Sequence, residues 1–155
     1  AALLDVARAG GIKIATAESC TGGLIAALLT EVPGSSDVFD RGYVTYSNAA
    51  KTESLGVPAN IIEQHGAVSR EVAMAMADGA AAHAQTVIAI SVTGIARPDG
   101  GTAQKPVGLV HLAIHRKGRL TRHIECHFGD IGRTAVRMAT VREALDLLDQ
   151  FLTKD

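Results

Sequence analysis

At 155 residues with a formal net charge of −1 and two cysteines, the chain can bury a core as one domain, and it offers neither the charge of a polyanion binder nor a disulfide scaffold. Hydrophobic residues reach 47% while aromatics are only 3% and Trp is absent, so the stacking platforms of single-strand binders are missing and no nucleic-acid partner is expected. No apolar stretch is long enough to span a bilayer, so no membrane is expected either, and the cysteine usage suits a reducing, cytoplasmic setting.

The chain opens without Met in a helical pattern over 1–8, as a trimmed chain or the end of something longer would, and Gly10-Gly11 ends that helix. Residues 12–17 read as a strand. Thr16-Ala17-Glu18-Ser19-Cys20-Thr21-Gly22-Gly23 then turns into an apolar helix that stops before Pro33-Gly34. A second strand over 42–46 runs into Ser47-Asn48, an N-cap pair for a short helix over 49–55. Another short helix over 59–65 ends at Gly66, and Ser69 caps an alanine-rich helix reaching His83. The run from Thr86 to Val92 is almost continuously β-branched, as a strand covered on both faces requires, and delivers a second small-residue turn at Thr93-Gly94-Ile95-Ala96. Segments 106–114 and 120–128 flank Lys117-Gly118 as an antiparallel hairpin. A long amphipathic helix over 133–152 directs Val136, Ala139, Ala144, Leu145, Leu148 and Leu152 inward. The expected fold is a single three-layer α/β/α domain over 1–155, with a mostly parallel five-stranded sheet and one antiparallel hairpin strand.

In open α/β sheets, ligands bind beyond the carboxyl ends of the parallel strands. Glu18-Ser19-Cys20-Thr21, Tyr46-Ser47-Asn48 and Thr93-Gly94 end the first three strands, so these polar turns are expected to meet at one edge. Ser19 or Thr21 can cap the helix that follows. Ser19 can also be a nucleophile, with the N–H groups of Cys20, Thr21, Gly22 and Gly23 as an oxyanion hole. Such a serine needs a base. His65 and His83 sit at helix ends, where an imidazolium is stabilised cheaply and needs no catalytic explanation. Lys51 lies three residues past Asn48 and can point back to the edge, where burial would lower its pKa. Tyr46 alone is a strand aromatic; beside Ser19 its hydroxyl becomes an assisting group. Cys20 reads as a buried small residue rather than a thiol nucleophile. On a strand His123 and His127 share a face from which Cys126 points away, so no common metal ion is expected.

Together with Arg41-Gly42-Tyr43-Val44-Thr45-Tyr46-Ser47-Asn48-Ala49-Ala50-Lys51, His65-Gly66-Ala67-Val68-Ser69, Pro98-Asp99-Gly100-Gly101 and Lys105-Pro106-Val107-Gly108, these stretches resemble the CinA carboxy-terminal domain over nearly the whole chain. The resemblance implies a nicotinamide-nucleotide amidase (NMN deamidase, PncC-type), a serine amidohydrolase that needs no cofactor and no metal. Its reaction turns nicotinamide mononucleotide into nicotinate mononucleotide and ammonia. By motif position the nucleophile falls on Ser19, the base on Lys51 and the assisting hydroxyl on Tyr46. The implied partner is a small-molecule nucleotide, and self-association is suggested. Candidate contacts to the substrate phosphate are Ser47, Asn48, Thr93, Gly94, Lys105 and Arg137; the last is a cation near a helix start, where it opposes the dipole. Two positions depart from the pattern. Arg97 stands where the family usually has glycine, which adds a cation or narrows the entrance. The usual Gly-Asp-Arg run is here Gly129-Asp130-Ile131-Gly132-Arg133, which displaces the arginine. A reading of another class is a non-catalytic nucleotide-sensing or protein-interaction domain of a competence- or damage-inducible protein.

Overall fold

Every residue of β1 (Ile14–Glu18) is buried, as are the first six of β3 (Ile88–Gly94), and this demands a layer on each face of the sheet they form. The computed structural model describes residues 1–154. Together with β2 (Phe39–Val44), β4 (Leu109–Arg116) and β5 (Arg122–His127), these strands make one five-stranded sheet in the order β2-β1-β3-β4-β5. The β1–β2 and β1–β3 pairs are parallel, whereas β3–β4 and β4–β5 are antiparallel, so β4 runs against the other strands. The α/β/α architecture expected from the sequence is the one observed.

One face carries α1 (Ala2–Ala9), α2 (Leu24–Thr30) and α6 (Arg133–Thr153); the other carries α3 (Asn48–Leu55), α4 (Ala59–His65) and α5 (Arg70–Ala84). The period of two along the strands separates their cores. Ile14, Ile88, Ile90 and Val92 pack toward α1, α2 and α6, and Ala15, Ala17 and Ala89 pack toward α5. Alanines on both the strands and α5 let that helix lie close to the sheet. Further close approach comes at Gly79, where a Cβ would stand 1.9 Å from the Leu55 carbonyl oxygen, so this glycine seats the end of α3 against α5.

Several boundaries differ from the expected ones for identifiable reasons. Strand β1 starts at Ile14 because the Ile12 N–H still bonds to the Ala7 carbonyl at the end of α1. Strand β2 runs Phe39–Val44 rather than 42–46. Its register partner for Val44 is Glu18, the last residue of β1, so residues 45 and 46 have no strand beside them. On α6 the buried stripe includes Thr140, Val141 and Leu147, while Ala139 and Leu145 are only half-buried. Among the described residues no helix is long and apolar enough to cross a membrane.

Candidate active site

The parallel strands β1 and β3 and the end of β2 bring their following turns to one sheet edge, where a cavity of about 470 Å³ opens. Ser19, the first residue beyond β1, and Lys51, on α3, face each other in its wall. Both are buried: the exposure of Lys51 is 1% and that of Ser19 is 8%. Lys51 Nζ lies 3.2 Å from Ser19 Oγ, 2.9 Å from the Thr45 carbonyl oxygen and 3.4 Å from that of Tyr46. No carboxylate pairs with it among the described residues. Burial therefore lowers the Lys51 pKa below its ordinary value, with only the smaller, opposing influence of the Cys20 sulfur to set against the desolvation of an ammonium. A neutral amine matches this shell well. Its two N–H bonds can serve the two carbonyls while its lone pair accepts the Ser19 hydroxyl proton.

The helix α3 aims the lysine. Ser47 caps it, accepting from the Ala50 N–H at 3.0 Å, which places Lys51 one turn in and turned back toward β1. Ser47 is thus occupied as a cap. Asn48 lines a separate groove between α3 and α4, so neither stands in the Ser19 cavity as a phosphate contact.

The turn after β1 is built differently from expectation. Gly23, in a left-handed conformation, is the N-cap of α2, and neither Ser19 nor Thr21 caps it. The cap is instead the Glu18 carboxylate, which the sequence reading missed. This group is fully buried and accepts from Thr21 Oγ1 (2.6 Å), the Ile25 N–H (2.8 Å) and the Ala26 N–H (3.1 Å). A carboxylate at a helix N-terminus is favoured by the exposed N–H groups and the dipole. The available signal was an acid closing an otherwise apolar strand, since a buried carboxylate needs partners close by.

These bonds narrow the possible oxyanion donors. The Gly22 N–H goes to the Ser19 carbonyl, and the Leu24 N–H to that of Thr21. Among the described residues, the N–H groups of Cys20, Thr21 and Gly23 make no hydrogen bond to another residue. Cys20 lines the cavity; Thr21, Gly22 and Gly23 do not. Burial pushes the Cys20 thiol up to about 11, so it stays protonated at neutral pH, a poor state for a nucleophile.

Tyr46 lines the cavity but is 60% exposed, beyond the end of β2. Its hydroxyl accepts from Arg133 Nη2 at 2.8 Å, and it bonds to neither Ser19 nor Lys51. The serine–lysine contact is direct. Thr93 Oγ1 donates to the Ala67 carbonyl at 2.8 Å, and Thr93 and Gly94 form part of the wall. Lys105 also faces the cavity while donating to the His65 carbonyl at 2.5 Å. Arg137 does not line it: Nε reaches the Cys20 carbonyl (3.0 Å) and Nη2 that of Thr21 (3.3 Å). The expected phosphate role for Arg137 therefore gives way to a grip on the main chain of the Ser19 turn.

In its place stand the two arginines that depart from the familiar pattern. Arg97 and Arg133 both line the cavity with Lys51 and Lys105, and no Asp or Glu shares that lining. His65 and His83 lie elsewhere, the first 3.7 Å from Glu71 and the second bonded to the Gly79 carbonyl.

A family model, the CinA C-terminal domain, matches residues 1–152. The chain belongs to that family. A CinA-like protein of Citrifermentans bemidjiense is 54% identical over 145 residues, which cover 94% of this chain and 34% of that protein. Among solved structures, the competence/damage inducible protein CihA from Agrobacterium tumefaciens superposes with a TM-score of 0.91 at 49% identity, covering 99% of this chain and 97% of that one. A CinA superfamily protein from Escherichia coli gives 0.92 at 35% identity, covering 97% and 86%. The chain spans about a third of the length of the curated relatives it matches.

Proposed function

We propose that this domain hydrolyses the carboxamide of nicotinamide mononucleotide to nicotinate mononucleotide and ammonia, with Ser19 as nucleophile and Lys51 as base. The observation that carries the reading is the 3.2 Å approach of Lys51 Nζ to Ser19 Oγ inside a cavity, with the lysine buried and unpaired. The cavity's all-cationic charge supports an anionic substrate such as a nucleoside monophosphate. Membership of the CinA C-terminal family supports the choice of amide.

Neutral Lys51 takes the hydroxyl proton as Ser19 Oγ attacks the carboxamide carbon. The carbonyl oxygen becomes an oxyanion beside the Cys20 N–H, the unengaged donor of the turn whose residue lines the cavity. Protonated Lys51 then gives its proton to the departing nitrogen, and ammonia leaves behind an acyl ester on Ser19. A water molecule, deprotonated by the same amine, attacks that ester. Lys51 returns the proton to Ser19 Oγ, and the carboxylate product is freed. The Tyr46 hydroxyl accepts from Arg133 in the cavity wall, and its O–H can donate to the substrate.

Ammonia release from nicotinamide mononucleotide, followed by a coupled assay, tests the reading. Turnover by the wild-type protein that is lost in Ser19→Ala, with binding retained, supports it. Nucleotide binding without ammonia release would favour the sensing role instead.

A further inference from the structure

The Ser19 turn is held from two sides by charged groups that never enter the cavity. Glu18 takes the hydroxyl of Thr21 and the first N–H groups of α2, which fixes where the turn joins the helix. Arg137, one turn into α6, takes two consecutive carbonyls, those of Cys20 and Thr21. Its Nη2 also lies against Gly22, where a Cβ would stand 3.3 Å away and φ is +58°. A side chain at that position would crowd the guanidinium and strain the main chain.

Each carbonyl that Arg137 binds belongs to a peptide group whose N–H lies on the following residue. The Cys20 carbonyl is conjugated with the Thr21 N–H, which, like those of Cys20 and Gly23, bonds to no other residue among the described residues. The Thr21 carbonyl is conjugated with the Gly22 N–H, which donates to the Ser19 carbonyl at 3.0 Å. That last carbonyl shares its peptide group with the Cys20 N–H, the one of these three donors whose residue lines the cavity. A cation on a carbonyl withdraws electron density from its amide and makes the N–H a stronger donor, and such chains polarise cooperatively. We propose that Arg137 is a positioning residue of the reaction, which holds the Ser19 turn and, through the Gly22 N–H bond to the Ser19 carbonyl, polarises the Cys20 N–H as the oxyanion donor, and makes no contact with the substrate.

The inference rests on the amidase reading, but one of its tests does not. In the full chain, Arg137→Lys keeps a charge yet cannot span both carbonyls, and Arg137→Gln removes the charge. For both, kcat for nicotinamide mononucleotide should fall on the order of tenfold to a hundredfold, less than the ~10²–10³ of a lost donor, while KM stays within about twofold. A phosphate contact would do the reverse, raising KM with kcat held, and that result overturns the proposal. The second test needs no turnover. In 1H–15N spectra of Arg137→Gln, the amide protons of Thr21 and Gly22 should move upfield as their peptide groups lose polarisation; resonances coincident with wild type overturn the proposal. Should the wild-type protein release no ammonia, the amidase reading fails by itself. The spectra then decide this proposal, together with the rate at which an alkyl fluorophosphonate labels Ser19: slower labelling in Arg137→Gln supports it, and equal labelling overturns it.

Discussion

The two halves of the sheet put their polar side chains to opposite use. In the antiparallel half, His111 Nδ1 lies 2.8 Å from His123 Nε2, Glu125 bonds to His127 at 3.1 Å, and Asp78 holds both His115 and Thr121. Each of these groups finds its partner within the protein, and none of them lines the Ser19 cavity. In the parallel half, Ser19 and Lys51 meet at a sheet edge where the strand ends diverge, and an open volume remains above them. Reactive capacity belongs to the half whose polar groups still face unfilled space.

Substitutions at the parallel edge should break function without breaking the fold. The largest effect is expected for Ser19→Ala, which should lower kcat by at least about 10³-fold in the ammonia assay with unfolding temperature little changed. Lys51→Met should cost roughly as much activity, and it should also raise stability by about 1–2 kcal/mol at neutral pH, measured by denaturant titration. The sign follows from linkage. The folded pKa of Lys51 lies below its ordinary 10.5, so between those two values the unfolded chain binds more protons and wild-type stability rises with pH. The advantage of Lys51→Met should therefore shrink as pH climbs toward 10.5. For the same reason, kcat/KM of the wild type should rise with pH as the amine loses its proton; a flat profile would remove Lys51 as the base. A smaller change is expected from Arg97→Gly: KM for nicotinamide mononucleotide should rise roughly tenfold, with kcat held, through loss of one cation at the mouth.

The smallest effect on turnover should come from the antiparallel half. His111→Phe should leave kcat within about twofold yet lower stability by about 1–2 kcal/mol, since His123 loses its partner. Burial holds both imidazoles below their ordinary pKa, with Lys105, Arg70 and the pair's own proximity acting in the same direction and Glu71 and Glu125 opposing. Wild-type stability should therefore fall as pH drops below 6.5 toward the folded values, and His111→Phe should lose part of that acid sensitivity. Strong loss of turnover in this variant would dissolve the contrast between the halves.

The fold was legible because its signals are periodic. The β-branched run ahead of Thr93, the capping serines Ser47 and Ser69, and the glycine breaks each identify an element locally. The meeting of Ser19 with Lys51 was legible too, since parallel strands bring their following turns to one edge. Glu18 was not, because its role depends on three donors gathered by a turn whose geometry no local pattern specifies. Arg137 shows a correct signal attached to the wrong partner. A cation early in a helix did need an explanation, and the explanation was two carbonyls rather than a phosphate. Tyr46 was misplaced by two residues of strand, which carried its hydroxyl toward Arg133.

Besides the neutral Lys51, three cations (Arg97, Lys105 and Arg133) and no acid line the Ser19 cavity, and the proposed amide hydrolysis would change the charge of what it contains. On that proposal a neutral carboxamide would enter and a carboxylate would emerge, so the product would be more anionic than its precursor and the walls would attract it more strongly. Departure of the acid, rather than bond cleavage, then becomes the natural bottleneck at low ionic strength. Added salt should quicken the cycle until it weakens capture of the nucleotide itself, giving a rate that peaks at intermediate salt.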